Sequence, residues 1–480
     1  MKHSLRTKIL LVAGFLALAA ALVWAKNQYK TSTNTKPPAR NTAPLSDEDL
    51  KAVIAAMRLD PGHDKDDQRL VKLGRALFFD AGFSANGQIS CATCHQPDKA
   101  FTDGKATAEG LAKTSMNAPT LVNAAGGDWF FWNGRADSLE AQAMGPVENP
   151  KEHGFSRLKV AHRLNEVYKR DYESIFGPLP KLLPKSLPSK AAETPTTPPP
   201  KISDAVAAYA LATLGSPILL KAILRDAQSK STQPVAILKE ISAGTANLTS
   251  IKVVSQDTPG PETDAINMVF ANYTRAIAAF ERTIIADDSP FDRFAESLPT
   301  KTKPEDAYVE GFQAQELRGL RLFTGRGQCT LCHQGPLFTD QQFHNIGLSA
   351  LTAETIDLGR AQGMLIARES PFNCRGKYLA QKKLTESCRE LGYLETENAE
   401  SVGAFKTPTL RQLRETAPYG HDGRFGRLRD VLEHYNNLGV PPAVGHTEES
   451  LVPLRMSSQE LDDLEAFLLS LNGRLSFFKG

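Results

Sequence analysis

The feature this 480-residue sequence most lacks is net charge. Its 56 lysine and arginine residues are almost balanced by 54 aspartate and glutamate residues, which leaves a formal charge of +2. Proteins that bind nucleic acid through its phosphates carry a strong positive excess, so the balance argues against a nucleic-acid partner. Patterns typical of β-strands are few and short, whereas apolar residues often recur at helical spacing. The sequence therefore predicts a mainly α-helical protein.

Long uncharged runs are also scarce, and one of them lies near the N-terminus. It extends from Ile9 to Ala25 and follows three basic residues, Lys2, Arg6 and Lys8. A positive segment followed by an apolar segment is typical of an export signal. Because the run is slightly short for a span of about 20 residues, residues 1–25 are interpreted as a signal peptide or, alternatively, an inner-membrane anchor. Both alternatives predict a periplasmic protein.

Cysteine is scarce, with six residues, and four of them lie in two runs of the form Cys-x-x-Cys-His. This form is the attachment signature of a c-type haem, in which two thiols make thioether bonds and the histidine is placed to coordinate the iron. One copy could be a zinc-binding pair, but two copies in an exported chain predict two covalent haems. The residues concerned are Cys91, Cys94 and His95, and Cys329, Cys332 and His333.

The other two cysteines, Cys374 and Cys388, lie close together in a polar segment. In an oxidising compartment they would form a disulfide worth up to about 3 kcal/mol. Two free thiols are the alternative.

Helix signals are clearest where a capping residue precedes an apolar pattern. Ser46 with Asp49 predicts a helix through about Leu59, and Ser457 with Glu460 predicts the last helix, which ends near Gly473. Further helices are predicted over about 203–225, 262–286, 310–324 and 427–438. Loop-like or irregular structure is expected over 96–150 and 350–400.

The two haem motifs and these helix signals predict two cytochrome c-like haem domains with long loops. Residues 26–44 form a polar tether, 45–177 with part of 262–300 form an N-terminal haem domain, 178–261 form a proline-rich and helical insertion, and 300–480 form a C-terminal haem domain.

Several short signatures follow the two haem motifs in a fixed order. They are Asn117–Leu121, Phe131–Ala136, Glu148–His153, Phe343–Gly347, Phe405–Arg411 and Pro418–Gly423. The order of these segments and the residues within them resemble those of the bacterial di-haem cytochrome c peroxidase superfamily, which includes the MauG-type enzymes. The resemblance covers about residues 65–177 and 262–472.

The resemblance implies that peroxide reacts at the N-terminal haem and that the C-terminal haem receives and relays electrons. It implies proximal ligands His95 and His333, an inter-haem tryptophan at Trp132, and distal-pocket residues at Gln142, Pro146 and Glu152. It also implies one calcium ion bound by Asn117 and the backbone oxygens of Thr416 and Pro418, whose oxygen donors suit a hard cation.

Glu152 has the chemistry that peroxide cleavage requires. Peroxide must lose the proton on its near oxygen and gain one on its far oxygen, and one carboxyl group can act as base and then as acid. Partial desolvation would raise the pKa of such a group toward working pH. The alternatives are a solvated surface charge for Glu152 and simple core packing for Trp132.

Three departures from the family pattern stand out. No histidine lies between His95 and His153, where several family members have a loop histidine that ligates the resting peroxidatic haem, and His153 is a rival ligand. The distal position of the second haem falls on Tyr435 rather than on methionine, with His434 and Met456 as competitors. The tryptophan that MauG-type enzymes have before the second motif is replaced by Gly327-Gln328.

The sequence therefore favours an exported di-haem peroxidase that takes electrons from a small periplasmic donor, either a cytochrome c or a copper protein. A MauG-like oxidase acting on an organic or protein substrate is the second hypothesis, and a non-catalytic electron-transfer cytochrome is the third. His344 and His421, in signatures near the second haem, are expected to orient propionates or backbone.

Overall fold

The computed structural model describes residues 45–59, 66–180, 260–348, 357–379, 385–393, 399–440, 442 and 445–480. These residues all belong to one compact unit, Pro44–Gly480. The export segment, the tether, the helical pattern at 203–225 and most of the insertion lie outside the described residues. Within the described ranges, no helix combines the length and the apolar character needed to cross a bilayer.

Helices dominate the described residues, which confirms the predicted mainly α fold. They are α1 (Asp47–Met57), α2 (Gln68–Phe79), α3 (Cys91–Cys94), α4 (Leu139–Glu148), α5 (Arg157–Val167), α6 (Lys169–Phe176), α7 (Pro261–Glu281), α8 (Pro290–Ser297), α9 (Ala314–Thr324), α10 (Arg360–Glu369), α11 (Glu386–Tyr393), α12 (Leu428–Asn437) and α13 (Ser458–Leu469). Short strands form two antiparallel pairs, β1 (Ile285–Asp287) with β4 (Arg474–Ser476) and β2 (Phe343–His344) with β3 (Phe405–Lys406).

Capping chemistry sets the first and last helices as predicted. The Ser46 side chain accepts a hydrogen bond from the backbone N–H of Asp49 at the start of α1. Ser457 and Glu460 form a reciprocal capping box at the start of α13. Each cap satisfies backbone donors that have no partner within the helix, so these starts can be read from sequence.

Some expectations were wrong. The stretch 350–400 contains α10 and α11, and the loop-like stretch 96–150 contains α4. The polar composition of α10 hides its packing, because it buries a charged side chain, Arg360. The helix predicted over 262–286 ends at Glu281, since the chain turns into β1.

Among the described residues, two large hydrophobic cores lie within the compact unit, beside a smaller cluster around Trp129. The first gathers residues of α2, α4, α5 and α7, and the second gathers residues of α8, α9, α12 and α13. Helix α1 packs into the second core through Leu50, Ile54 and Met57, although the sequence grouped it with the N-terminal domain. In return, β4 pairs with β1, and Phe477 packs against the first core. Both ends of the compact unit therefore cross to the opposite core.

The helix that leads into each Cys-x-x-Cys-His run crosses a second helix at a glycine. A Cβ on Gly74 of α2 would lie 1.7 Å from the backbone oxygen of Ala276 in α7. A Cβ on Gly319 of α9 would lie 1.9 Å from the backbone oxygen of Asp463 in α13. No side chain fits at such distances, so glycine allows the two backbones to touch. These crossings anchor the two helices that precede the haem motifs.

Candidate functional site

The first haem motif forms a short helical turn that fixes its histidine. Ser90 and Thr93 make a capping box around α3, and His95 follows directly. The Nδ1 atom of His95 lies 2.9 Å from the backbone oxygen of Phe101. A histidine held in this way presents Nε2 to a metal. Burial lowers the pKa of His95, which favours the neutral form that binds metal.

The second haem motif repeats this geometry. The Nδ1 atom of His333 lies 2.9 Å from the backbone oxygen of Phe338, and burial again lowers the histidine pKa. The four motif thiols, on Cys91, Cys94, Cys329 and Cys332, are outside any disulfide. Pairs of thiols outside any disulfide, beside oriented imidazoles, fit two covalently attached haems.

Glu152 is held next to the first motif. Its Oε1 atom accepts a hydrogen bond of 2.6 Å from the Asn149 amide. Burial first, and then the carboxylates of Asp103 and Glu152, raise the pKa of the Cys94 thiol to about 11, which places Glu152 near that sulfur. The loop at Gly110 covers it closely, since a Cβ there would lie 2.7 Å from the Cα of Glu152. Burial raises the pKa of Glu152 above its usual value.

Gln142 and Pro146 lie one turn apart on α4, on the same face of the helix. The side-chain oxygen of Gln142 is buried and has no hydrogen-bond partner among the described residues. A buried amide oxygen without a partner costs free energy. Its position therefore suits a group that arrives with a donor.

Arg135 is a charged neighbour that sequence reasoning passed over, although it lies in the Phe131–Ala136 signature. Its guanidinium carbon lies 3.4 Å from the centroid of the Phe131 ring. Burial lowers the pKa of Arg135, while the carboxylates of Glu152 and Asp357 oppose that shift. Arg135 also opposes the rise in the pKa of Glu152. The position of the arginine within a family signature was the signal that could have revealed it.

Two more polar groups near the first motif were missed. Tyr273 OH and Glu281 Oε2 are buried and have no hydrogen-bond partner in the described ranges. Burial, and then the charge of Glu281, raise the pKa of the Cys91 thiol, which places Glu281 near that sulfur. Burial, and then Glu140, raise the pKa of Glu281 to about 8. Both residues lie on α7 at buried positions, where polar side chains were the available signal.

Tyr435 lies beside the second motif. Burial raises the pKa of its phenol far above the ordinary value, and the nearby thiols of Cys329 and Cys332 raise it further. The phenol is thus close to the sulfurs that would attach the second haem. The axial-ligand role that the family resemblance implies for Tyr435 stays a prediction.

The two rivals of Tyr435 have different surroundings. The Nε2 atom of His434 lies 2.9 Å from the backbone oxygen of Ile346, which engages the nitrogen that a metal would need. Met456 is buried, and its Cε lies 3.4 Å from the position of a Cβ on Gly327, beside the second motif. Of the two alternative ligands, Met456 is therefore the one whose side chain packs beside the second motif.

His344 carries a charge close to the second motif. Its two ring nitrogens lie 2.8 Å from Asp340 Oδ2 and 2.9 Å from Glu448 Oε2. Both nitrogens must donate to make these two contacts, so the ring is an imidazolium. Asp340, Cys332 and then Glu448 raise the pKa of His344 to about 11. His344 thus joins Asp340 to Glu448 beside the second motif.

Trp132 lies between segments that follow the two motifs. Its indole N–H donates to the backbone oxygen of Asn117, 3.1 Å away, and its own backbone oxygen accepts from the N–H of Lys406, 2.7 Å away. The Asn117 amide nitrogen lies 2.9 Å from the backbone oxygen of Lys105 and 3.4 Å from that of Pro418. The structure therefore places the Asn117 side chain close to the backbone oxygen of Pro418, and both residues belong to the predicted calcium site.

Two remaining predictions concern Cys374, Cys388 and His153. A disulfide joins Cys374 to Cys388. His153 is buried, and its Nδ1 atom lies 3.0 Å from the backbone oxygen of Phe83. That contact orients His153 in the same way that Phe101 orients His95, so His153 stays a rival ligand for the first haem.

The chain is similar in sequence to known proteins over most of its length. The family model described as di-haem cytochrome c peroxidase matches residues 68–218. The chain is 30% identical over 464 residues to the methylamine utilization protein MauG of Methylorubrum extorquens, covering 95% of this chain and 94% of that one. It is 28% identical over 409 residues to the cytochrome-c peroxidase IdrP1 of Denitromonas iodatirespirans, covering 84% and 81%.

A solved structure supports the fold. The di-haem peroxidase BthA of Burkholderia thailandensis aligns with a TM-score of 0.50 at 19% identity, covering 87% of this chain and 89% of that one. The likeness in sequence extends over almost the whole length of the MauG relative. The chain therefore belongs to the di-haem cytochrome c peroxidase family, a family of oxidoreductases that act on peroxide.

Proposed function

We propose that this protein reduces hydrogen peroxide to water at the first haem motif, with electrons relayed through the second. The observation that carries this proposal is Glu152, a buried carboxyl group held by Asn149 beside the first pair of thiols. A carboxyl group with a raised pKa is suited to moving a proton on a bound peroxide.

The chain's own residues would manage the proton and the water around the peroxide. The haem iron, when bound, supplies the oxygen-binding and redox chemistry, with His95 as its proximal ligand. Glu152 takes the proton from the near oxygen and returns it to the far oxygen. Gln142 accepts a hydrogen bond through its unpartnered Oε1 and so orients the peroxide. Pro146 presents an apolar wall on the same face of α4.

Arg135 would set the charge balance of that pocket. Its guanidinium stabilises the ionised form of Glu152, whereas burial favours the neutral form. The two effects oppose each other, which keeps the carboxyl group able to exchange a proton in both directions. A carboxyl group held permanently in one form could not act as base and then as acid.

Electrons would enter at the second haem from a small periplasmic donor and pass Trp132. The support is the position of this tryptophan, hydrogen-bonded to Asn117 on one side and to Lys406 on the other. A calcium ion at Asn117 and the backbone oxygens of Thr416 and Pro418 would clamp the same junction, since oxygen donors suit that cation. The periplasmic location rests on the export pattern of residues 1–25.

A MauG-like oxidase is the second candidate, and Tyr435 is the observation that favours it. A phenolate is a harder donor than a thioether and stabilises higher oxidation states of iron, which allows oxidising power to be stored. The peroxidase is preferred because Gly327-Gln328 replaces the tryptophan expected before the second motif.

The deciding experiment measures electron balance in the purified holoprotein. Intact mass should reveal two haem adducts. Two molecules of reduced cytochrome c or copper protein should each lose one electron for every molecule of peroxide consumed. Peroxide consumption that leaves these donors reduced but oxidises an added organic substrate would favour the oxidase. No peroxide consumption by a fully loaded protein would exclude both.

A further inference from the structure

A second tryptophan, Trp129, lies outside the machinery described so far. It is one of the largest fully buried side chains, with 1% of its surface exposed. Its indole N–H donates to Glu390 Oε2 over 2.7 Å. Glu390 lies on α11, two residues after the disulfide cysteine Cys388, and Trp129 belongs to the same hydrophobic cluster as both disulfide cysteines. A buried indole is thus joined directly to a carboxylate.

The face of this indole is covered by a cation. The guanidinium carbon of Arg360 lies 3.8 Å from the Trp129 ring centroid and 3.9 Å from that of Phe343. Arg360 is itself fixed by a 2.8 Å hydrogen bond from Nη1 to the backbone oxygen of Gly134. A fixed positive charge at this distance opposes the formation of a second positive charge on the indole. Loss of an electron is therefore favoured only if the indole proton leaves as well.

Glu390 is placed to accept that proton, because its Oε2 atom already accepts the hydrogen bond of the indole N–H. The proton would move along an existing 2.7 Å contact. The other carboxylate oxygen, Oε1, lies 3.4 Å from the Gln342 amide nitrogen, so contacts hold both oxygens of the carboxyl group.

Trp129 is also joined to the junction between the two motifs. Phe343 pairs with Lys406 in the β2–β3 ladder, and the Lys406 N–H donates to the backbone oxygen of Trp132. Arg360 bridges Phe343 to Trp129, and it is hydrogen-bonded to Gly134, two residues after Trp132. A continuous set of contacts therefore runs from the junction to the Trp129–Glu390 pair.

We propose that Trp129 is a second oxidisable residue and that Glu390 is its proton acceptor. When peroxide has taken electrons from the protein and no donor has replaced them, the indole gives one electron to the haem pair. Its N–H bond breaks, the proton passes to Glu390 Oε2, and a neutral indolyl radical remains beside a protonated carboxyl group. An electron from a later donor, with return of that proton, restores the pair. This inference rests on the proposed peroxide chemistry.

The test uses the full-length holoprotein treated with one equivalent of peroxide without donor and frozen within the first turnover. Electron paramagnetic resonance of protein containing ring-deuterated tryptophan identifies a tryptophan radical. Trp129→Phe and Glu390→Gln should remove most of that signal, while Trp132→Phe should retain it. Glu386→Gln, an acid one turn earlier on the same helix, is the matched control and should leave the signal unchanged.

Glu390→Gln separates the proton role from packing, because the amide keeps an acceptor oxygen for the indole but takes no proton at neutral pH. It should also consume peroxide at the wild-type rate. Peroxide consumption with an unchanged radical signal in both Trp129→Phe and Glu390→Gln would overturn the inference alone. If Trp129→Phe does not fold, Glu390→Gln and the labelled wild type decide. A loaded wild type that does not react with peroxide would overturn the proposed function and this inference together.

Discussion

The two haem motifs have the same attachment framework but different surroundings. In each, the motif histidine directs Nδ1 to a backbone oxygen at 2.9 Å, and a preceding helix crosses another at a glycine. Around the first motif lie Glu152 and the unpartnered Oε2 atom of Glu281. Around the second lie the Tyr435 phenol and an imidazolium between two carboxylates.

This difference indicates that attachment and reactivity are set by separate parts of the chain. Polar atoms left without partners beside the first motif can receive a reactant, because a reactant's hydrogen bonds relieve their desolvation cost. Beside the second motif, His344 is fully paired, and a phenol lies where an axial ligand is expected. Under the proposed function, one framework would serve both a site that receives peroxide and a site that transfers electrons.

The largest expected effect comes from removing the proton-carrying group of the first region. Glu152→Gln should reduce peroxide turnover by about 10²–10⁴-fold, the usual range for loss of general acid–base catalysis. Steady-state consumption at saturating donor measures it. Glu166→Gln, an exposed acid on α5, should retain wild-type turnover. Near-normal turnover in Glu152→Gln would assign proton transfer to another group.

A smaller effect is expected from altering the second region. Tyr435→Met should raise the reduction potential of the second haem, because a thioether favours reduced iron and a phenolate favours oxidised iron. Potentiometric titration measures the change, and Met456→Leu serves as the comparison variant. A potential that moves in Met456→Leu but not in Tyr435→Met would identify Met456 as the ligand.

Calcium removal should affect the junction rather than either motif. Chelation should slow turnover reversibly, because a clamp at Asn117 and Pro418 would fix the geometry between the motifs. Both haems should stay attached, since their thioether bonds are covalent. Unchanged turnover and spectra after thorough chelation would remove calcium from the account.

The smallest expected effect is on stability and again distinguishes the two regions. The pKa of Glu281 is raised from 4.5 to about 8 in the folded protein. Between these values the folded protein keeps a proton that the unfolded chain has lost, so this contribution to stability falls as pH rises through the window. Relative to Glu281→Gln, the wild type should lose a few degrees in apparent melting temperature between pH 5 and pH 8. The same change of melting temperature with pH in the wild type and in Glu281→Gln would contradict this prediction.

Much of this arrangement follows from the sequence, because its signals are local. A Cys-x-x-Cys-His run contains its own ligand set, and the caps at Ser46 and Ser457 act on neighbouring backbone groups. The glycine crossings at Gly74 and Gly319 could not be predicted, since they depend on which helix lies opposite. Helix α1 packs into the second core, and β4 pairs with β1 beside the first core. These placements could not be predicted either, since they depend on contacts between residues far apart in the sequence.

Arg360 and Trp129 illustrate the other limit. From the sequence, an arginine within a polar helix is expected to lie on the surface. Only the fold shows that Arg360 is buried between Trp129 and Phe343. Arg135 was visible within a family signature, but its proximity to Glu152 is a property of the packed pocket. Polar groups that act through distant partners leave no pattern in the local sequence.

The spectrum of the fully oxidised holoprotein, before and after one equivalent of peroxide, tests the central difference between the two regions most directly. Without a loop histidine at the first haem and with Tyr435 on the second, one haem should be high-spin and the other low-spin. The oxidised protein should then react with peroxide without being reduced first. Two low-spin haems, no reaction until one is reduced, and an unchanged spectrum in Tyr435→Met would contradict the account and point to His153 as a ligand of the first haem.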